Sequence, residues 1–77
     1  MYYVYAIINT DKRIYVGISK DVNFRLQEHN SGRTKSTKGY KPWRLLYKED
    51  LPDRISARNR EKQLKSGSGK EFLKQFL

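Results

Sequence analysis

The first eight residues, MYYVYAII, are apolar at nearly every position, with Tyr3, Tyr5 and Ile7 on one side of an extended chain and Tyr2, Val4, Ala6 and Ile8 on the other. A strand apolar on both faces belongs in the middle of a sheet, covered on two sides. After the polar stretch Asn9 to Arg13 a second run alternates, with Ile14, Val16 and Ile18 facing one way and Arg13, Tyr15 and Gly17 the other. Two Tyr-, Val- and Ile-rich runs around a polar segment predict a β-hairpin over Tyr2 to Gly17. Whether Tyr5 and Tyr15 share a face turns on the loop. Antiparallel partners sum to a constant, so a loop Asn9 to Asp11 sets Tyr5 directly opposite Tyr15 and a loop two residues longer sets it diagonally, whereas an even loop separates the two.

Beyond Ser19 the period changes from strand to helix. Ser19 or Asp21 can cap a helix from about residue 21 to 31, and Gly32 is placed to end it. Val22 and Leu26 form its inward stripe, while Arg25 and His29, also four apart, share a neighbouring face. Residues 32–42, GRTKSTKGYKP, make a connection with Arg33, Lys35, Lys38 and Lys41 and no acid. Such a loop suits phosphate contact, with Ser36 and Thr37 as further donors and Tyr40 as a stacking platform. A third strand is expected over Trp43 to Lys48, with Trp43, Leu45 and Tyr47 alternating to one face and the Trp assigned to the core. Glu49 to Pro52 should then turn the chain. Asp53 can cap a helix running to about Ser66 and stopped by Gly67, in which Ala57, Glu61 and Leu64 set an acid within the apolar stripe, in reach of Arg58 and Lys65. Ser68 and Glu71 have capping-box spacing for a last short helix with Phe72, Leu73, Phe76 and Leu77 on its apolar edge. The order β-β-α-β-α-α describes an α+β fold with a small, mainly antiparallel three-stranded sheet flanked by helices.

Composition narrows the class of partner. Seventeen Lys and Arg stand against eight Asp and Glu, a formal charge of +9 in 77 residues. A field of that sign gathers polyanions and makes their binding salt-dependent. The length suits one domain, residues 1–77, with a modest core. Without cysteine the chain has no disulfide framework and no thiolate metal site, which fits a reducing compartment. With no apolar run long enough for a span and no secretory n-region and h-region, the expected location is the cytoplasm, with no membrane partner.

Tyr3-Val4-Tyr5, Tyr15-Val16-Gly17, Arg25, His29-Asn30 and Glu61, in that order, together resemble the GIY-YIG nuclease family. The resemblance covers essentially the whole chain, including KSTK ahead of Pro42-Trp43 and the ending REKQLKSGSGKEFL, and is to small single-domain members related to the GIY-YIG nuclease domain of excinuclease. It implies a metal-dependent endonuclease that hydrolyses phosphodiester bonds in DNA, in repair, recombination or processing of branched DNA. Tyr5, Tyr15, Arg25 and His29 would be catalytic, Glu61 would hold Mg²⁺ or Mn²⁺, and Gly17 would support the site. Arg33, Lys35, Lys38 and Lys41 would contact DNA, with no small-molecule cofactor. The triplets depart from the family name at Tyr3, Val4 and Val16, and the asparagine that several members carry near the domain's end has no match. The DNA-binding domains of larger relatives are also missing, which leaves targeting open to a protein partner. A silent nucleic-acid-binding module of the same fold is the alternative.

Chemistry makes these roles coherent. An arginine on a rigid helix suits the charge that builds on a phosphoryl group, and a magnesium ion completes its octahedron with water and substrate phosphate, so one carboxylate can suffice. Tyrosine, with an ordinary pKa of about 10, needs help to act as a base. A nearby cation favours its phenolate, and His29 offers a second route for the proton.

Overall fold

The computed structural model describes every residue except Ser36, and every side chain except that of Lys38 as well. The expectations for Ser36 and for the Lys38 side chain therefore lie outside the described residues. The doubly apolar opening run forms β1, Tyr2–Ile8, at the centre of a three-stranded antiparallel sheet. On one side it pairs with β2, Ile14–Ser19, and on the other with β3, Arg44–Leu51. In the hairpin Ile8 lies opposite Ile14 and Tyr5 opposite Gly17, so the loop has the longer of the two odd lengths. Asn9 organises it: its side-chain oxygen accepts from the backbone N–H groups of Asp11 and Arg13 at 3.1 and 2.8 Å. Lys12 turns the chain with φ of 63°, a conformation in which glycine would be the ordinary choice.

The odd loop sets Tyr5 and Tyr15 on one face, diagonally. That face is covered by α1, Val22–Ser31, whose Asp21 side chain accepts from the Phe24 N–H and whose end is closed by Gly32 at φ of 82°. Here Tyr5, Ile7, Val22 and Trp43 form a cluster flanked by Tyr3, Tyr15 and Leu26. The other face carries an aliphatic core of Val4, Ala6, Val16, Ala57, Leu64 and Leu73, closed by α2, Arg54–Lys65, and α3, Gly67–Lys74.

The last half of the chain corrects the sequence reading in two places. β3 continues to Leu51 rather than turning at Glu49, because Glu49, Asp50 and Leu51 pair with Val4, Tyr3 and Tyr2. It also carries an irregularity: Tyr47 faces Ala6 while Leu45 faces Ile7, so one residue is bulged out. The expected alternation breaks there, and Trp43 packs with the α1 cluster while Leu46 and Tyr47 join the aliphatic one. At the second place Ser66, not Ser68, caps the last helix, accepting from the Gly69 N–H at 3.2 Å, and Gly67 opens α3 instead of ending α2. A single residue thus closes one helix and starts the next. The turn is so tight that a Cβ on Gly69 would sit 2.5 Å from the Leu64 Cα.

Candidate active site

β1 supplies Tyr5, whose ring crosses β2 above Gly17. A Cβ at Gly17 would stand 2.7 Å from the Tyr5 hydroxyl oxygen, so glycine there is what lets the ring lie down. The gap expected beside Tyr15 is therefore filled by Tyr5. The Tyr5 hydroxyl meets His29 Nε2 at 2.9 Å, and the His29 ring also packs against Tyr15, with centroids 5.0 Å apart. Both tyrosines and the histidine are thus gathered by α1 over one face of the hairpin.

His29 lies at full burial, deeper than its helical spacing alone suggests. Its other nitrogen, Nδ1, meets Thr37 Oγ1 at 2.7 Å. Thr37 is itself buried, and its backbone carbonyl accepts from Trp43 Nε1 at 3.1 Å. Asn30, one residue after His29, holds the backbone of Trp43 from both ends, accepting from its N–H at 2.6 Å and donating to its carbonyl at 2.9 Å. Thr37 was expected to reach outward to phosphate; it turns inward because the histidine imidazole needs a partner in the dry interior. Sequence reasoning missed it as a site residue, and the only signal was its place in KSTK. Among the described residues no buried side-chain nitrogen or oxygen lacks a hydrogen-bond partner.

Burial pushes the Tyr5 phenol up to about 12, and the neighbouring Tyr15 pushes the same way; Arg25 opposes and Glu61 adds to the rise. Burial also lowers the His29 pKa, helped by the Arg25 charge and opposed by Glu28. His29 is accordingly neutral at pH 7. Arg25, partly buried on the shoulder of α1, binds Glu28 at 2.9 Å, and that hydrogen bond holds its guanidinium above the usual arginine range. Glu61 comes from α2, which packs on the opposite face of the sheet, yet its charge is felt at the Tyr5 hydroxyl. Its side chain is only 13% exposed and is approached by Lys65 Nζ at 3.2 Å and Arg58 Nε at 3.6 Å. Tyr15 of β2, Arg25 of α1 and Glu61 of α2 thus all act on the charge of the Tyr5 hydroxyl.

The basic connection lies beside this group. Arg33, Lys35 and Lys41 are exposed. Tyr40, expected as a free stacking platform, already carries the Arg13 guanidinium 4.0 Å above its ring, and its backbone carbonyl accepts from the Asn9 side chain. Among the described residues no helix is long and apolar enough to cross a membrane.

A three-stranded sheet with paired tyrosines facing an arginine- and histidine-bearing helix agrees with what sequence comparison finds: a profile of the GIY-YIG catalytic domain matches residues 1–74, and the chain belongs to the GIY-YIG family. Its relatives there include UPF0213 proteins. One from Staphylococcus epidermidis is 35% identical over 74 residues, spanning 95% of this chain and 90% of its own. Another, from Syntrophus aciditrophicus, is 38% identical over 73 residues, spanning 92% and 84%. The solution NMR structure of a UPF0213 protein from Bacillus halodurans matches with a TM-score of 0.58 and 34% identity, covering 97% of this chain and 84% of that one. The α+β architecture and its element order are those of that structural neighbour.

Proposed function

We propose that the protein is a metal-dependent DNA endonuclease whose chemistry is divided among Tyr5, Tyr15, Arg25 and Glu61. The observation that supports this reading is the packing of Tyr5 and Tyr15 against His29 on the helix that also bears Arg25, with the largely buried Glu61 on α2, a set that mere binding of a polyanion does not require. Tyr5 keeps its proton, since its pKa of about 12 makes it a donor that binds and polarises. Tyr15 is left to orient or activate the attacking water. Arg25 keeps one guanidinium nitrogen on Glu28 and turns the rest of its fork to the scissile phosphate, where charge develops. His29, enclosed and with both nitrogens engaged, acts on the reaction only through Tyr5. The exposed Arg33, Lys35 and Lys41 extend the phosphate contacts along the strand.

The donor set fits a hard divalent cation held mainly by water and substrate. Among the described residues there is no group of three His, Cys, Asp or Glu side chains, so a closed metal cage is not on offer. Glu61 is a largely buried carboxylate whose cationic neighbours Arg58 and Lys65 are more than half exposed and free to swing outward. Mg²⁺ or Mn²⁺ at Glu61 would supply Lewis-acid stabilisation of phosphoryl charge, with several waters retained. DNA repair, recombination or processing of branched DNA is the setting that suits a small basic nuclease of this family.

The test is nicking of supercoiled and branched DNA with Mg²⁺ or Mn²⁺. Glu61→Gln should reduce the rate by about 100-fold or more. Equal nicking by wild type and Glu61→Gln, or none by either, would end the assignment and favour a silent binding module.

A further inference from the structure

The buried line of hydrogen bonds under Tyr5 has a direction, and that direction is set from the basic connection. It runs from the Tyr5 hydroxyl to His29 Nε2 at 2.9 Å, from His29 Nδ1 to Thr37 Oγ1 at 2.7 Å, and from Thr37 Oγ1 to the Thr34 carbonyl at 3.4 Å. A neutral imidazole carries one N–H, so one of its two partners must donate and the other accept. The Thr37 hydroxyl has one proton and two possible acceptors, Nδ1 and the Thr34 carbonyl, and a phenol is a stronger hydrogen-bond donor than an aliphatic hydroxyl, so the single imidazole lone pair takes the Tyr5 proton. Nδ1–H then donates to the Thr37 oxygen, whose own proton is left for the Thr34 carbonyl. The line therefore runs Tyr5 O–H to Nε2, Nδ1–H to Thr37, Thr37 O–H to the Thr34 carbonyl.

We propose that Thr37 is a positioning residue that fixes His29 as the Nδ1–H tautomer and thereby holds the Tyr5 proton inward, leaving the other lone pairs of the Tyr5 oxygen free to accept. This rests on the nuclease reading only for its consequence, a division of labour in which Tyr5 cannot serve as base and Tyr15 can. The same residue ties the site to the segment carrying Arg33, Lys35 and Lys41, because the Thr37 carbonyl receives Trp43 Nε1 and the Trp43 backbone is clamped by Asn30. Seating of that segment on a strand of DNA therefore reaches the Tyr5 hydroxyl through a single side chain.

His29 is the chain's one histidine, so its imidazole nitrogens can be read without assignment ambiguity by ¹⁵N NMR of the free protein at pH 7.5. The wild type should show a protonated, pyrrole-type Nδ1 and a bare, pyridine-type Nε2. Thr37→Ser, which keeps the hydroxyl, should retain that pattern; Thr37→Val, which is close in shape but cannot accept, should shift it toward the other tautomer. Protonation on Nε2 in the wild type overturns the proposal even if Thr37→Val fails to fold, and so does an unchanged pattern in folded Thr37→Val. In the nicking assay Thr37→Val should lower kcat by about 10- to 100-fold with little change in KM. A wild type that does not nick would remove the nuclease reading while the tautomer is still judged by the spectrum.

Discussion

Under the sheet, Val4, Ala6 and Val16 meet Ala57, Leu64 and Leu73, six side chains without a polar atom; above it, Tyr5, Ile7 and Trp43 share the interior with His29 and Thr37. The first face is held mainly by burial, which is non-directional and tolerant of small adjustments in shape, with the Arg60–Glu49 pair at its edge. The second is held by hydrogen bonds that must be made in a fixed order, since each unpaired group left in the interior costs about 1–3 kcal/mol. In this small domain the two tasks are separated by the thickness of one strand. β1 carries both, with alternate residues committed to each.

That division can be broken from either side. The largest effect is expected from Leu64→Ala, which opens a cavity in the aliphatic face and should cost about 2–5 kcal/mol in urea unfolding. The His29 tautomer in the folded fraction should be unchanged. Gly17→Ala attacks the other face, because its Cβ would fall 2.7 Å from the Tyr5 hydroxyl oxygen and 2.9 Å from Cζ. Overpacking of this kind costs about 1–3 kcal/mol. Here nicking should fall further than stability does, since the displaced atom is the one that meets His29.

A smaller and more specific effect is expected with pH. The unfolded histidine takes up its proton near its ordinary value of 6.5, whereas buried His29 does so only at lower pH. Just below 6.5 the unfolded chain therefore binds more protons, and stability should decline as pH falls through that range. Tyr5 mirrors this at the alkaline end: its contribution is full below 10.0 and lost as pH rises toward about 12. Urea midpoints at pH 7.5 and 5.5 for wild type and His29→Asn check the acid limb, which the variant should flatten. A midpoint independent of pH in the wild type would contradict the burial of a neutral imidazole.

Much of this was legible in the chain. The two-sided apolarity of Tyr2 to Ile8 marked a central strand, Asp21 and Gly32 bracketed α1, and the spacing of Ala57, Glu61 and Leu64 set an acid at the rim of the core. What escaped depends on events that periodicity cannot register. The bulge near Leu46 leaves the residues of β3 in their order and changes only which face they meet. Ser66 outcompetes Ser68 as a cap because the Gly69 backbone must lie against Leu64, a packing demand invisible from spacing. Thr37 reads as one more polar residue in a basic loop until the fold brings His29 over it. The hairpin loop was the place where the sequence left odd and even lengths open, and the fold settles it with the loop that Asn9 ties together.

The aliphatic face of the sheet holds the fold, while the face under α1, joined by Glu61 from α2, carries the proposed phosphodiester hydrolysis, and Tyr15→Phe tests this most directly. The substitution removes a single oxygen from the partly exposed rim of the site. Nicking of supercoiled DNA with Mg²⁺ should fall by about 100-fold or more, the range over which a positioned acid or base acts, while the melting temperature stays within a few degrees of wild type. An unchanged rate at unchanged stability would contradict the account.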